Sequence, residues 1–212
     1  MEKKTKIIIA VVSLVGFVVI VLVALFIRNS TQNSQKPAVG NPIIESYKNN
    51  LPDLAAKATN STDPKAIRNY AVALYATGDL ESAKTQYLRE KELNPNDAIL
   101  YNNLGNIYRD SGEYQNAVDA YQKSIDLDKS QLNVYINLAN LYIYVLQKPD
   151  LGYGVYLKGI ENSPNNKEAL LLPLANAYKD AGLKQKAIDT YNQILAIDPS
   201  NAAVKAILEG LK

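Results

Sequence analysis

The sequence predicts an all-α protein: an α-solenoid of about four helix-turn-helix units with capping helices, preceded by one N-terminal transmembrane helix. Three observations carry this reading. The run Ile7 to Ile27 holds no charge, and Ser13 is its only polar side chain. Segments beginning at Pro64, Ala98, Leu132 and Glu168 repeat one spacing of small, aromatic and Pro residues at steps of 34, 34 and 36. Inside each segment apolar residues recur three and four apart, the period of a helix with one buried face.

The composition closes several routes. The chain has 212 residues and neither Cys, His nor Trp. Disulfides, a thiol nucleophile and Cys-ligated zinc are excluded. So are imidazole acid–base catalysis and the commonest transition-metal ligand. With 23 basic and 21 acidic side chains there is no bulk field to attract nucleic acid.

Residues 1–6 form a short basic tail with Lys3, Lys4 and Lys6. Residues 7–27 span roughly 31 Å as a helix, matching a hydrocarbon core of about 30 Å. A cleaved signal peptide is the rival reading, but such apolar regions run about 7–15 residues and end in a small-x-small site. Leu25-Phe26-Ile27-Arg28 offers none. The basic tail places the N-terminus in the cytoplasm and the rest of the chain outside it. Residues 28–42 are polar with two Pro and predict a flexible linker. In residues 43–63 a helical stripe (Ile43, Ile44, Tyr47, Leu51, Leu54, Ala55, Ala58) predicts N-terminal capping helices, which Pro52 is expected to divide in two.

Four units follow at 64–97, 98–131, 132–167 and 168–201. Small residues fall where paired helices cross: Ala71, Gly105, Ala139 and Ala175 on first helices, Ala83, Ala117, Gly152 and Ala187 on second helices. Only small side chains let helix axes approach toward about 8 Å. Tyr87, Tyr121, Tyr156 and Tyr191 flank them, Gly78, Gly112 and Gly182 mark turns, and Pro95, Pro164 and Pro199 close units. The third unit breaks the pattern. Leu146-Gln147-Lys148-Pro149 replaces its turn Gly, with one extra residue there and another at Lys167. Lys129 replaces a closing Pro, Glu90 stands where a small residue is usual, and Pro173 falls inside a first helix, where it should kink it. Residues 202–212 predict a C-terminal capping helix.

The second unit reads Tyr101-x2-Leu104-Gly105-x2-Tyr108, then Ala117-x3-Tyr121. This resembles the tetratricopeptide repeat, and the resemblance covers about residues 64–212. It implies a protein-binding solenoid whose first helices line a concave groove, with no cofactor and no catalytic role.

Within the first helices, Asn69, Asn103 and Asn137 share one position. Asn106, Asn140 and Asn176 share another, three residues on and therefore on the same face. An amide offers a donor and an acceptor and so can hold an extended peptide backbone. Tying neighbouring helices together is the alternative. Arg68, Asn102, Arg109, Tyr144 and Lys179 are further groove candidates. Some relatives grip a C-terminal carboxylate with Lys and Asn. Here Arg68 takes the Lys-like place but Val72 the partner place, and Asn102 and Ile136 follow in the next units. No catalytic constellation, calcium loop or metal cluster is legible, and carboxylate pairs such as Asp110 with Glu113 read as solvated surface. The expected role is a membrane-anchored scaffold. It binds a protein or extended peptide in the groove and the lipid bilayer through residues 7–27, with no nucleic acid and no small-molecule substrate. It would serve assembly or localisation of an envelope complex. A cytosol-facing receptor for chaperone tails or transported proteins is the alternative.

Overall fold

The computed structural model describes residues 41–211. The basic tail, the apolar run and nearly all of the linker lie outside them. Among the described residues there are ten α-helices and no strand. No described helix is long and apolar enough to cross a membrane.

Helix α1 (Pro42–Ala58) comes first. It runs unbroken through Pro52, which corrects the expected division into two helices. Proline removes one backbone donor and clashes locally, and the helix-forming Leu54, Ala55, Ala56 and Lys57 carry the ladder onward.

Paired helices follow: α2 (Pro64–Ala76) with α3 (Leu80–Leu93), and α4 (Ala98–Asp110) with α5 (Tyr114–Leu127). Then come α6 (Leu132–Asn140) with α7 (Pro149–Asn162), α8 (Glu168–Asp180) with α9 (Lys184–Ile197), and finally α10 (Ala202–Gly210). Side-chain caps start several of them. Asp63 accepts from the Lys65 N–H, Asp79 from Ser82, Asp97 from Ile99 and Leu100, and Asn201 from Val204. Each satisfies amide hydrogens that a helix start leaves unpaired. Three turns between partners need a left-handed residue, and Gly78, Gly112 and Gly182 take φ of +91°, +77° and +71°.

The packing follows from side-chain size. The small crossing residues Ala71, Ala83, Ala117, Ala139, Ala175 and Ala187 are fully buried, as are Tyr121, Tyr156 and Tyr191. At Gly105 a β-carbon would stand 2.5 Å from both Cδ1 and Cε1 of Tyr121, so α4 and α5 meet at a distance only glycine allows there.

The third unit absorbs its extra residues locally. Leu141–Val145 form a π-helical turn, with the Leu146 N–H bonded to the carbonyl of Leu141, five residues back, at 2.9 Å. Gln147 then takes the left-handed turn position with φ of 55°. Its successor Lys148 donates to the Tyr142 carbonyl, six residues back; the other turns reach back five, from Asp79 to Leu74, Glu113 to Tyr108 and Leu183 to Tyr178. One residue is thereby accommodated inside the first helix. The other lengthens the connection after α7, where Pro164–Asn166 form a short 3-10 turn.

Pro173 lies inside α8 without ending it. Having no N–H, it leaves the Ala169 carbonyl without a donor four residues on.

Candidate functional site

The candidate surface is the face formed by the first helices α2, α4, α6 and α8. The second helices set it from behind. The Tyr121 hydroxyl of α5 donates to Asn106 Oδ1 at 2.7 Å. Tyr156 of α7 does the same to Asn140 at 2.8 Å, and Tyr191 of α9 to Asn176 at 2.6 Å. Each amide oxygen is thus held by a buried ring from its own unit, and each half-buried Asn keeps its NH2 for another partner. Burial pushes the Tyr121 and Tyr156 phenols well above their ordinary range, so they remain protonated donors at any physiological pH.

Asn137 works differently. Its Nδ2 donates to Asn102 Oδ1 and Asn106 Oδ1, both at 3.1 Å, and joins α6 to α4. Asn102 is buried, so this amide pair ties units together. Asn103 is half-buried and Asn69 exposed, and no described side chain hydrogen-bonds either amide. Both Asn series are interrupted: Val72 stands opposite Tyr87 in the first unit, and Pro173 takes the fourth place of the other series.

The charged candidates are engaged. Arg68 donates through Nε to Glu90 Oε1 at 2.7 Å, and through Nη2 to both Glu90 and Asp97. Glu90 is fully buried and its Oε2 has no partner. Burial raises the Glu90 pKa, with Arg68 opposing. Burial also pushes Asp97 up, but the Arg68 hydrogen bond and the helix-start amides outweigh it and hold the carboxyl below its usual range. Arg109 donates to Asp110 Oδ1 at 2.7 Å and reaches the Tyr121 hydroxyl at 3.4 Å. The Tyr75 hydroxyl donates to Asp110, linking α2 to the end of α4; burial and this carboxylate raise its pKa to about 12. Lys179 lies 4.0 Å from Asp180. Tyr144 is half exposed, and burial and the nearby Asp180 carboxylate raise its pKa.

The sequence reading missed the tyrosine hydroxyls as orienting groups. Their signal was present: an Asn precedes a Tyr by 15, 16 and 15 residues in three successive units. It also missed that the misplaced Glu90 has a partner in Arg68, 22 residues away. No group of three or more acidic side chains is arranged to hold a metal ion among the described residues.

Comparison with known proteins agrees with this architecture. Tetratricopeptide-repeat family models match residues 98–131 and 170–201, so the chain carries such repeats there. No curated protein matches the chain in sequence. Among solved structures, MamA is similar at 21% identity with a TM-score of 0.57, over 76% of this chain and 89% of that one. YrrB, described as a tetratricopeptide protein with an unusual peptide-binding site, is similar at 21% identity with a TM-score of 0.53. That match covers 70% of this chain and 76% of YrrB. At this identity the likeness concerns the fold.

Proposed function

We propose that this chain is a membrane-anchored scaffold that receives an extended segment of a partner protein along the first-helix face and thereby assembles or localises an envelope complex. The observation that carries the reading is the row Asn106, Asn140 and Asn176, each with its oxygen fixed by a tyrosine hydroxyl. A side chain whose rotamer is already locked loses little entropy on binding. Its NH2 donors suit backbone carbonyls, which every extended peptide presents whatever its sequence. Asn103 and Asn69 add amides that no described side chain engages. Asn102 and Asn137 support the row from below, and Tyr144, Arg109 and Lys179 border it. The anchor is residues 7–27, and the basic tail favours a solenoid outside the cytoplasm.

The test is affinity capture from native membranes with the full chain. The control carries Asn103→Ala, Asn140→Ala and Asn176→Ala and is checked for unchanged helicity. A partner retained by the first and lost by the control supports the reading. Equal capture by both removes the amide row from it. The cytosol-facing receptor of chaperone tails needs a free cation for a terminal carboxylate, and Arg68 is spent on Glu90 and Asp97. A reporter fused after Lys212 separates the topologies: alkaline phosphatase activity supports the exported domain, and green fluorescence the cytosolic one.

A further inference from the structure

An apolar pocket lies toward the start of α8, the helix that carries the last amide of the row. Ala169, Leu172, Pro173 and Asn176 stand on α8 at i, i+3, i+4 and i+7, so they share one face. The first three line a cavity of about 550 Å³, together with Leu132 at the start of α6 and Val204 of α10. This lies within the range of ligand pockets, about 300–1,000 Å³. Leu172 is 42% exposed and offers apolar surface to this cavity. Two features make the rim electronegative. Glu168, the one charged lining residue, makes no ion pair with a described residue. The Ala169 carbonyl lacks its helical donor because Pro173 has no N–H.

We propose that this pocket takes a large apolar side chain of the bound peptide, with a neighbouring Lys or Arg directed to Glu168 and the Ala169 carbonyl. The inference rests on the peptide reading above and adds sequence selectivity to it. The geometry supplies the spacing. Pro173 and Ala169 lie about 4.5 and 10.5 Å from Asn176 along the helix axis, at 1.5 Å per residue. An extended peptide advances about 3.3 Å per residue. A backbone that turns along α8 after Asn176 therefore brings a residue one to three places on to the pocket. Charge complementarity selects a cationic neighbour, since an anionic one would face Glu168 at short range.

The experiment uses the full chain in detergent micelles and four pools of eight-residue peptides. Each pool is capped by fluorescein at its N-terminus and amidated, with randomised outer positions. The central pairs are Leu-Lys, Ala-Lys, Leu-Ser and Leu-Glu, and binding is read by anisotropy. The Leu-Lys pool is expected to bind at least about tenfold more tightly than Ala-Lys, the discrimination an apolar pocket achieves, and more tightly than Leu-Glu. Leu172→Gln should reduce the Leu-over-Ala ratio below about threefold, and Glu168→Gln should level Lys, Ser and Glu. No Leu preference in the unaltered chain, or one unchanged by Leu172→Gln, overturns the pocket. If all pools bind alike and lose binding together on Asn140→Ala with Asn176→Ala, the groove stands and the pocket falls. If no pool binds below millimolar concentration, both fall.

Discussion

Two glycine-to-alanine substitutions in helices should change stability in opposite directions. In a helix interior, Ala is favoured over Gly by about 1 kcal/mol. At Gly154 of α7 nothing lies within 4 Å of an added β-carbon, so Gly154→Ala should realise this gain. At Gly105 the same methyl would stand 2.5 Å from two ring carbons of Tyr121, against an optimum of about 3.5–4 Å. The ring is fully buried and its hydroxyl is tied to Asn106 at 2.7 Å, so it must retreat about 1 Å against packed neighbours. Overpacking of this kind costs about 1–3 kcal/mol, and the strained hydrogen bond about 1 kcal/mol more. The propensity gain offsets only part, leaving a net loss of about 1–3 kcal/mol. At about 2–4 °C per kcal/mol for a chain of this size, Gly105→Ala should melt roughly 2–12 °C lower and Gly154→Ala about 2–4 °C higher. Thermal melts followed by far-UV circular dichroism, in one detergent for all variants, make the comparison. A Gly105→Ala melting point at or above that of the unaltered chain would refute the close approach of α4 and α5.

The polar network gives three further expectations. Arg68→Met leaves Glu90 buried without its counter-charge and should cost about 3–5 kcal/mol in urea unfolding, most of it recovered by Arg68→Met with Glu90→Leu. Because burial raises the Glu90 pKa above its ordinary 4.5, the folded state binds that proton more tightly than the unfolded state. Stability therefore rises as pH falls from the elevated folded value to about 4.5. Glu90→Gln should lack this rise, so its stability relative to the unaltered chain declines across that window. Below it Asp97, whose folded pKa is lowered, contributes stability that is lost on further acidification in both chains. Tyr156→Phe frees the Asn140 amide and should cost about 1 kcal/mol in thermal melts, with weaker partner capture as the second readout.

Most of the helical architecture was legible because its causes are local and recurrent. Ala, Gly and Tyr at fixed offsets state where helices cross, and Gly78, Gly112 and Gly182 state where they turn. What escaped depends on contacts between distant residues or on competition between local effects. The division expected at Pro52 did not occur, because one missing hydrogen bond is weaker than the helix-forming sequence around it. Asn106 and Asn137 look alike in sequence, yet one is oriented by Tyr121 and the other bridges to Asn102. Arg68 read as a groove cation, and its engagement with Glu90 and Asp97 is visible only once α2, α3 and the start of α4 are brought together.

A stack of like units is close to a one-dimensional crystal, and the turn at Leu141–Val145 is a dislocation within it. Such a defect could have shifted the phase of everything downstream. Here it heals by Lys148, and Gly152 still meets the first helix, where a β-carbon would stand 2.7 Å from the Ala139 carbonyl. The lattice therefore tolerates a change in chain length at the price of one local ladder. Residues 141–148 are the place where the spacing between the two halves of the first-helix surface can be altered while each half keeps its own order.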